Sequence, residues 1–425
     1  MDVLVRKSEL YGEAIPPPSK SYTHRALISA ALSPLARIQN PLISEDTIAT
    51  LNFCRFMGAE VQRIREGLLM GGANPHKPEG YVYLANSGTT LRIALGILSL
   101  SKSRKYSVVD GDGSLRERPN EQLVRALKQL GAEIRGSGNY EAPLWIRGVI
   151  KGKEIEMRAD SSQYISSLLY ALSIARGNSV LKVTSMKSKP YVDITLHVLK
   201  ESGVEIEVEE GENTCAYHIP QDQDHCLRQF EVPADFSSAS YLIAAGLLGG
   251  RVKINNVFNS MQGDKIIVDA VEEMGGRVSW NKEKGVLDVE KSQLVGIDFD
   301  GGNYPDLVPA IAALAAVARG RSRIYNAAHL RMKEIDRIEG ICRNLRALKV
   351  DARETEDGME IEGGSIEGGT VNSFGDHRMA LAFSLLGLVG EKEVKVQNAE
   401  KVSVSYPGFF DVLRSLGADL STRGN

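Results

Sequence analysis

The sequence predicts an α/β fold of two domains, each built from three copies of one unit. Two series of motifs predict it. The first places a glycine after an amphipathic segment: "MGAEV" with Gly58, "LGAEI" with Gly131, "SGVEI" with Gly203, "MGGRV" with Gly275 and "LGADL" with Gly417. "ALKVDA" continues the series with Lys349 in the glycine's place, and successive members stand 68 to 74 residues apart. The second series is a set of small-residue-rich apolar segments that begin near Ser21, Thr89, Ser161, Ser237, Asp306 and Asp376, 68 to 76 residues apart. A fixed internal period marks a repeated supersecondary unit. Units of about 71 residues, six in number, fill the 425-residue chain. One hydrophobic core rarely serves more than roughly 300 residues, so three units per domain is the natural grouping.

Each element follows from its residues. "KSYTHRALISAAL", "TTLRIALGILSL", "SSQYISSLLYALSI", "SSASYLIAAGLLGG", "DLVPAIAALAAVA" and "DHRMALAFSLLGL" are nearly apolar all round, which predicts buried helices. Most open with Ser, Thr or Asp, the favoured N-caps. Segments such as "NEQLVRALKQL" predict amphipathic helices, and the glycine after each reads as a left-handed helix terminator. Stretches such as "VEIEVEE" alternate and predict short strands. "LRMKEIDRIEGICRNL" predicts one further helix, with Ile335, Ile338, Cys342 and Leu345 on its apolar stripe and Lys333 and Arg337 one turn apart opposite it. "DGDGS" lacks the third glycine and following helix of a dinucleotide motif and predicts a turn.

Composition narrows the function. A net charge of -3 and a pI near 6.2 offer no global basic field for nucleic acid. The longest apolar runs fall short of the roughly 20 residues that span a bilayer, and the first residues lack the apolar core of a signal peptide. The four cysteines form no CxxC pair, which argues against a disulfide framework or zinc site and fits a reducing cytoplasm. There is no P-loop, no GxSxG elbow and no histidine pair at metal-ligand spacing, so no cofactor or metal is expected.

The helix starts carry the chemistry. A helix N-terminus already bears partial positive charge, yet Lys20 and Arg25 sit at the first, and Arg92 follows Gly88 and Thr89 at the second. Arg118 precedes Pro119, a favourable first helical residue, and Arg378 opens the last helix. One misplaced cation costs only about 0.3–1 kcal/mol; the same arrangement at four starts points to a bound anion. His24 and His377 read as hydrogen-bonding neighbours. The residues alone therefore describe a two-domain α/β protein that binds small, highly anionic metabolites.

The motifs "PPPSKSYTHRALISAAL", "NSGTTLR", "RERP", "SSQY", "SKPYVDIT", "SSASYLIAA", "NSMQGD", "LRMKEIDRI" and "GDHRMAL", in this order from residue 16 to about 410, resemble 5-enolpyruvylshikimate-3-phosphate synthases of the enolpyruvyl transferase family. The resemblance implies an inside-out α/β barrel with two domains, 16–232 and 1–15 plus 233–425, the second crossing falling near "EVPADFSS" and the active site lying in the cleft. It implies transfer of the enolpyruvyl group of phosphoenolpyruvate to the 5-hydroxyl of shikimate 3-phosphate, with release of phosphate, by a cytoplasmic monomer that needs no nucleic acid or membrane. By motif, Lys20, Ser21, Arg25, Ser161, Ser162, Gln163, Ser188, Tyr191, Asp306 and Lys333 would hold shikimate 3-phosphate. Lys20, Gly88, Arg92, Arg118, Gln163, Arg337 and Arg378 would hold phosphoenolpyruvate or shape its pocket. Asp306 would be the base for the 5-hydroxyl and Glu334 the acid for the enol carbon, with Lys20 assisting.

The chain departs from the family pattern twice. Ile93 stands where many members have proline, and Val404 where many have lysine. A strand through "KVSVS" would send Lys401 and Val404 to opposite faces, so Lys401 is not expected to replace that lysine. The sister enzyme that acts on UDP-N-acetylglucosamine carries Asn after its first lysine and a Cys before "RP"; here Ser21 follows Lys20 and "DGDGSLRERP" has no Cys. A non-catalytic metabolite sensor would have no use for both Asp306 and Glu334.

Overall fold

The computed structural model describes residues 1–211 and 214–423. The chain divides into two compact units, Met1–Ser19 with Pro233–Asn425, and Lys20–Val232. The Lys20–Val232 unit holds helices α1 (Lys20–Leu32), α2 (Glu45–Phe56), α3 (Gly88–Leu98), α4 (Glu121–Leu130), α5 (Ser162–Ile174) and α6 (Lys189–Glu201). The other unit holds α7 (Phe236–Gly249), α8 (Ile267–Glu273), α9 (Val308–Ala315), α10 (Arg337–Ala347), α11 (His377–Leu386) and α12 (Phe409–Ser415). The odd-numbered helices are the small-residue segments. Every residue of α7 and α9 is buried, as helices apolar on all sides must be.

The even-numbered helices end as their glycines require. Gly58, Gly131, Gly203, Gly275 and Gly417 all have positive φ, between 79° and 114°. Lys349 takes the same conformation at φ 70° although its side chain disfavours it, so the sixth position obeys the repeat's geometry against local preference.

Among the described residues, the strands form six sheets of four. In five of them a parallel pair is followed by an antiparallel hairpin, as in the sheet ordered Gly80–Tyr83, Ser107–Asp110, Glu141–Arg147, Glu133–Ser137. The repeat closes in three places by borrowing strands distant in sequence. Leu10–Ala14 pairs in parallel with Gly250–Asn255, beside α7. Gln229–Glu231 pairs in parallel with Ala36–Gln39, which follows α1. Each of these strands leads in sequence toward a helix of the other unit. In the last sheet the N-terminal strand Asp2–Val5 lies between Val394–Gln397 and Leu420–Arg423, antiparallel to both.

Residues 16–19 belong with the Pro233–Asn425 segment: Pro18 bridges Ala234, Ser19 N–H donates to Pro233 C=O at 2.7 Å and Asp235 N–H to Pro17 C=O at 2.9 Å. The unit boundary thus falls at 19/20, four residues beyond the one expected from the motif, because the proline run is fixed by backbone hydrogen bonds to the returning chain.

Three local expectations are corrected. α4 begins at Glu121 behind Asn120, so Pro119 precedes the helix. Lys333 lies in extended backbone between a 3₁₀ turn (Ala328–Met332) and α10, whose cap Asp336 accepts from Glu339 N–H. Lys333 and Arg337 therefore share no helix face, and Arg337 is buried. Residues Ala399–Val404 form a 3₁₀ helix, not a strand. Side chains three apart on such a helix eclipse, so Lys401 and Val404 share a face. Ile93 sits fully buried inside an unbroken α3.

α3 and α5 approach closely at Gly96: a Cβ there would stand 2.5 Å from Ser167 Oγ and 2.6 Å from its carbonyl oxygen. This contact sets the spacing of the two helix mouths. No helix of the described residues is long and apolar enough to cross a membrane.

Candidate active site

In the Lys20–Val232 unit, polar groups gather at the starts of α1, α3, α5 and α6. Ser87 caps α3 by accepting from Thr90 N–H at 3.3 Å, which leaves Gly88 as the first helical residue. A Cβ on Gly88 would lie 2.8 Å from Arg92 Nη1 and 2.9 Å from Arg118 Nη1. Two guanidinium groups thus converge on the bare face of this turn. Arg92 is oriented by Gln163 Oε1 at 2.6 Å, Asn120 Oδ1 at 3.1 Å and Pro119 C=O at 3.4 Å. Arg118 Nη2 donates to Asn86 Oδ1 at 2.5 Å, and Asn86 in turn donates to both Asp112 oxygens. Among the described residues, Arg118 Nε has no hydrogen-bond partner and no carboxylate lies within ion-pair distance of its guanidinium, although the side chain is only 8% exposed. A buried N–H without a partner is rare in a folded chain and unfavourable until an acceptor meets it.

Gln163 ties the mouths together. Its Nε2 donates to Thr89 Oγ1 at 3.0 Å while its backbone N–H meets Ser161 Oγ, the cap of α5. Ser162, buried, opens that helix. Ser188 caps α6 in left-handed backbone, φ 58°, and its carbonyl accepts from Tyr191 N–H. Non-glycine residues held in this region are strained and cluster at functional sites.

Arg25 is the deepest cation of the unit. Its Nε donates to Thr195 Oγ1 at 2.6 Å, Nη1 to Ser21 C=O at 2.9 Å and Nη2 to Ser166 Oγ at 3.3 Å. All three partners are neutral. Burial therefore pulls its pKa down, to about 10. Lys20 instead meets a carboxylate, Asp46, at 2.8 Å.

The other unit solves its charges differently. Arg337, 1% exposed, donates through Nε to Asp376 at 2.7 Å, through Nη1 to Asp306 at 3.0 Å and through Nη2 to Glu334 at 2.8 Å. Burial opposes its charge, but Asp376, Glu334 and Asp306 outweigh it and raise its pKa well above the usual value. Asp306 Oδ2 also accepts from Arg378 Nη2 at 3.0 Å. One guanidinium thus holds Asp306 and Glu334 side by side. Arg378, 2% exposed, is the first-turn cation of α11, behind the cap Asp376. Lys333 is half-buried on the segment leading to Glu334. Asp264, fully buried, accepts from Ser237 Oγ at 2.5 Å; burial, helped by Asp306, pushes its pKa up to about 7.

Each unit gathers its own set of the residues named by motif: Lys20, Ser21, Arg25, Gly88, Arg92, Arg118, Ser161, Ser162, Gln163, Ser188 and Tyr191 in one, Asp306, Lys333, Glu334, Arg337 and Arg378 in the other. Sequence reasoning missed Asp46, Asn86, Asp264 and Asp376. Asn86, Asp264 and Asp376 lie inside quoted motifs, which was the available signal. Asp46 reads in the sequence only as a first-turn acid behind Ser44.

The family model described as EPSP synthase (3-phosphoshikimate 1-carboxyvinyltransferase) matches residues 5–413. A 3-phosphoshikimate 1-carboxyvinyltransferase of Archaeoglobus fulgidus is 59% identical over 421 residues, covering 99% of each chain. One of Methanosarcina mazei is 42% identical, covering 98% of each. The solved structure of an EPSP synthase from Acinetobacter baumannii superposes with a TM-score of 0.81 at 27% identity, covering 99% of this chain and 100% of that one. With the family model matched over nearly its whole length, this chain belongs to the EPSP synthase family of enolpyruvyl transferases.

Proposed function

We propose that this chain transfers the enolpyruvyl group of phosphoenolpyruvate to the 5-hydroxyl of shikimate 3-phosphate, and that the site residues of its two units act on this one pair of substrates. One observation carries the reading: Asp306 and Glu334 sit on adjacent nitrogens of the same buried arginine. A base and an acid for one addition must flank neighbouring reacting atoms, and a shared guanidinium sets that spacing. Asp306 takes the proton of the 5-hydroxyl as its oxygen bonds to C2 of phosphoenolpyruvate, while Glu334, in its protonated form, gives a proton to C3. In the second half the C2–O bond to phosphate breaks, Glu334 recovers a C3 proton, and phosphate leaves with the proton that Asp306 took from the hydroxyl. Lys20, Arg92 and Arg118 offset the charge that grows on the departing group. Arg25, with its neutral partners, suits the phosphate of shikimate 3-phosphate. Lys333, Arg378, Ser161, Ser162, Gln163, Ser188 and Tyr191 complete the polar lining.

The four cysteines, all free, fit action in a reducing cytoplasm, and we take the monomer as the active form. Phosphate release is the test. It is expected only when shikimate 3-phosphate and phosphoenolpyruvate are both present. Release with UDP-N-acetylglucosamine as acceptor, and none with shikimate 3-phosphate, would assign the chain to the sister reaction.

A further inference from the structure

We propose that Asp46 is the positioning residue for Lys20, and that a buried hydrogen-bond chain from His24 to Ser87 fixes this pair relative to the Gly88 turn. The inference rests on the assignment of Lys20 to the reaction. Lys20 Nζ lies 2.8 Å from Asp46 Oδ2, and the two side chains are 15% and 12% exposed. His24 Nε2 stands 3.5 Å from the same oxygen. On the other side of the ring, His24 Nδ1 is 2.6 Å from Thr50 Oγ1, Thr50 Oγ1 is 2.7 Å from Thr90 Oγ1, and Thr90 Oγ1 is 2.6 Å from Ser87 Oγ. Ser87 caps the helix that Gly88 opens.

One donor–acceptor sense runs through the chain, while Asp46 Oδ1 is buried without a hydrogen-bond partner among the described residues. Burial lowers the His24 pKa despite Asp46, so the ring is neutral and has one donor and one acceptor. With Nε2–H turned to Asp46, Nδ1 accepts from Thr50, Thr50 accepts from Thr90 and Thr90 accepts from Ser87. Each hydroxyl then donates once. Burial opposes the Asp46 charge, but Lys20 and His24 hold its pKa well below the usual carboxylate range. Asp46 is therefore a permanent anion on one oxygen of which both Lys20 and His24 converge. A lysine on a flexible four-carbon stem would otherwise roam at the wrong end of the α1 dipole.

Of the elements packed on α1, α2 carries the exposed Glu45 and Arg55 besides Asp46, and α6 carries Lys189, paired with Asp193, and the exposed Lys200 and Glu201. Arg25 is on the same helix. α6, packed on α1, brings Tyr191, coupled electrostatically to Arg25, and His197, whose Nδ1 meets Tyr22 at 3.0 Å. The strand Ala36–Gln39 carries Arg37, paired with Glu66 at the surface, and the strand Gly67–Gly71 carries no charge. Asp46 is a carboxylate in direct contact with the Lys20 ammonium.

Removing a carboxylate beside an ammonium lowers the ammonium's pKa, so activity that needs the charged amine is lost at lower pH. Asp46→Asn is expected to lower kcat at least about tenfold and to move the alkaline limb of the kcat–pH profile acidward by about one unit or more. The KM for shikimate 3-phosphate should stay within about threefold, since its other partners remain. Asp46→Glu keeps the charge and should keep the limb, whatever its kcat; it also serves if the Asn variant does not fold. In a Lys20→Met background, single-turnover rates should show no further loss from Asp46→Asn. An inactive Lys20→Met beside an unmoved limb in Asp46→Asn, a limb displaced equally by Asp46→Glu, or additive losses in the double variant would overturn the proposal alone. Near-normal turnover by Lys20→Met would remove the assignment of Lys20, and the proposal with it.

Discussion

The buried arginines of the two units make opposite arrangements. In the Lys20–Val232 unit, Arg25 has three neutral partners, and Arg118 keeps an N–H without any partner among the described residues. In the other unit, Arg337 is enclosed by three carboxylates and Arg378 donates to one of them. A buried cation without a counter-charge is unfavourable until an anion arrives. A buried cation among carboxylates is already compensated, and its work is to hold those carboxylates in register. Under the proposed function the first unit is the anion receptor and the second the acid–base frame, although both are built from the same repeated unit and place cations at helix starts.

This comparison is most sharply tested by removing one arginine from each unit. Arg337→Met leaves Asp306, Glu334 and Asp376 facing one another, and urea denaturation of the ligand-free protein should show a loss of about 3–5 kcal/mol. Arg25→Met removes a cation whose partners Ser166 and Thr195 already bond each other at 2.7 Å. Its stability should stay within about 1 kcal/mol of the parent, or rise, while affinity for shikimate 3-phosphate falls at least tenfold, about 1.4 kcal/mol. Equal destabilisation by the two variants would break the comparison.

If the second unit is the acid–base frame, its carboxylates govern turnover more than binding. Asp306→Asn and Glu334→Gln should each lower kcat by at least about 100-fold while calorimetry still detects shikimate 3-phosphate binding. A variant with near-normal kcat loses its assigned role. In the receptor unit the effect should be on binding instead: Arg118→Gln is expected to raise the KM for phosphoenolpyruvate about 10- to 100-fold, the scale of one or two charge-assisted hydrogen bonds.

A smaller effect concerns Asp264. Its folded pKa of about 7 lies above the unfolded carboxylate value, so the native state binds the extra proton. Stability from this group is present below about pH 4 and is lost as pH rises through about 7. The melting temperature of the parent, relative to Asp264→Asn, should therefore fall over that interval. A difference between the two that is independent of pH would show that Asp264 is ionised throughout.

The smallest effect is expected at Lys401. The strand reading separated it from Val404; the 3₁₀ helix puts both on one face. Lys401→Ala is now expected to raise the KM for phosphoenolpyruvate, by less than about tenfold. An unchanged KM would leave Arg337 and Arg378 as this unit's cations for phosphoenolpyruvate, beside Lys333 for shikimate 3-phosphate.

What the sequence determined by itself is whatever depends on neighbours within a few residues. The six-fold repeat, the buried and amphipathic helices and the left-handed turn at Gly58, Gly131, Gly203, Gly275 and Gly417 are local properties, legible from periodicity and from the steric freedom of glycine. So is the presence of cations at helix starts, because a helix dipole belongs to the helix alone. Tertiary structure decided what those cations meet. Arg25 and Arg337 are both basic residues near a helix start, but one meets Thr195 and Ser166, the other Asp306 and Asp376, across separations of 31 to 170 residues. The exchange of the strands Leu10–Ala14 and Gln229–Glu231 and the turn from strand to 3₁₀ helix at Lys401 were decided the same way. A pairing across such distances is selected by the packing of the whole unit, and no short window of sequence contains the competing energies that select it.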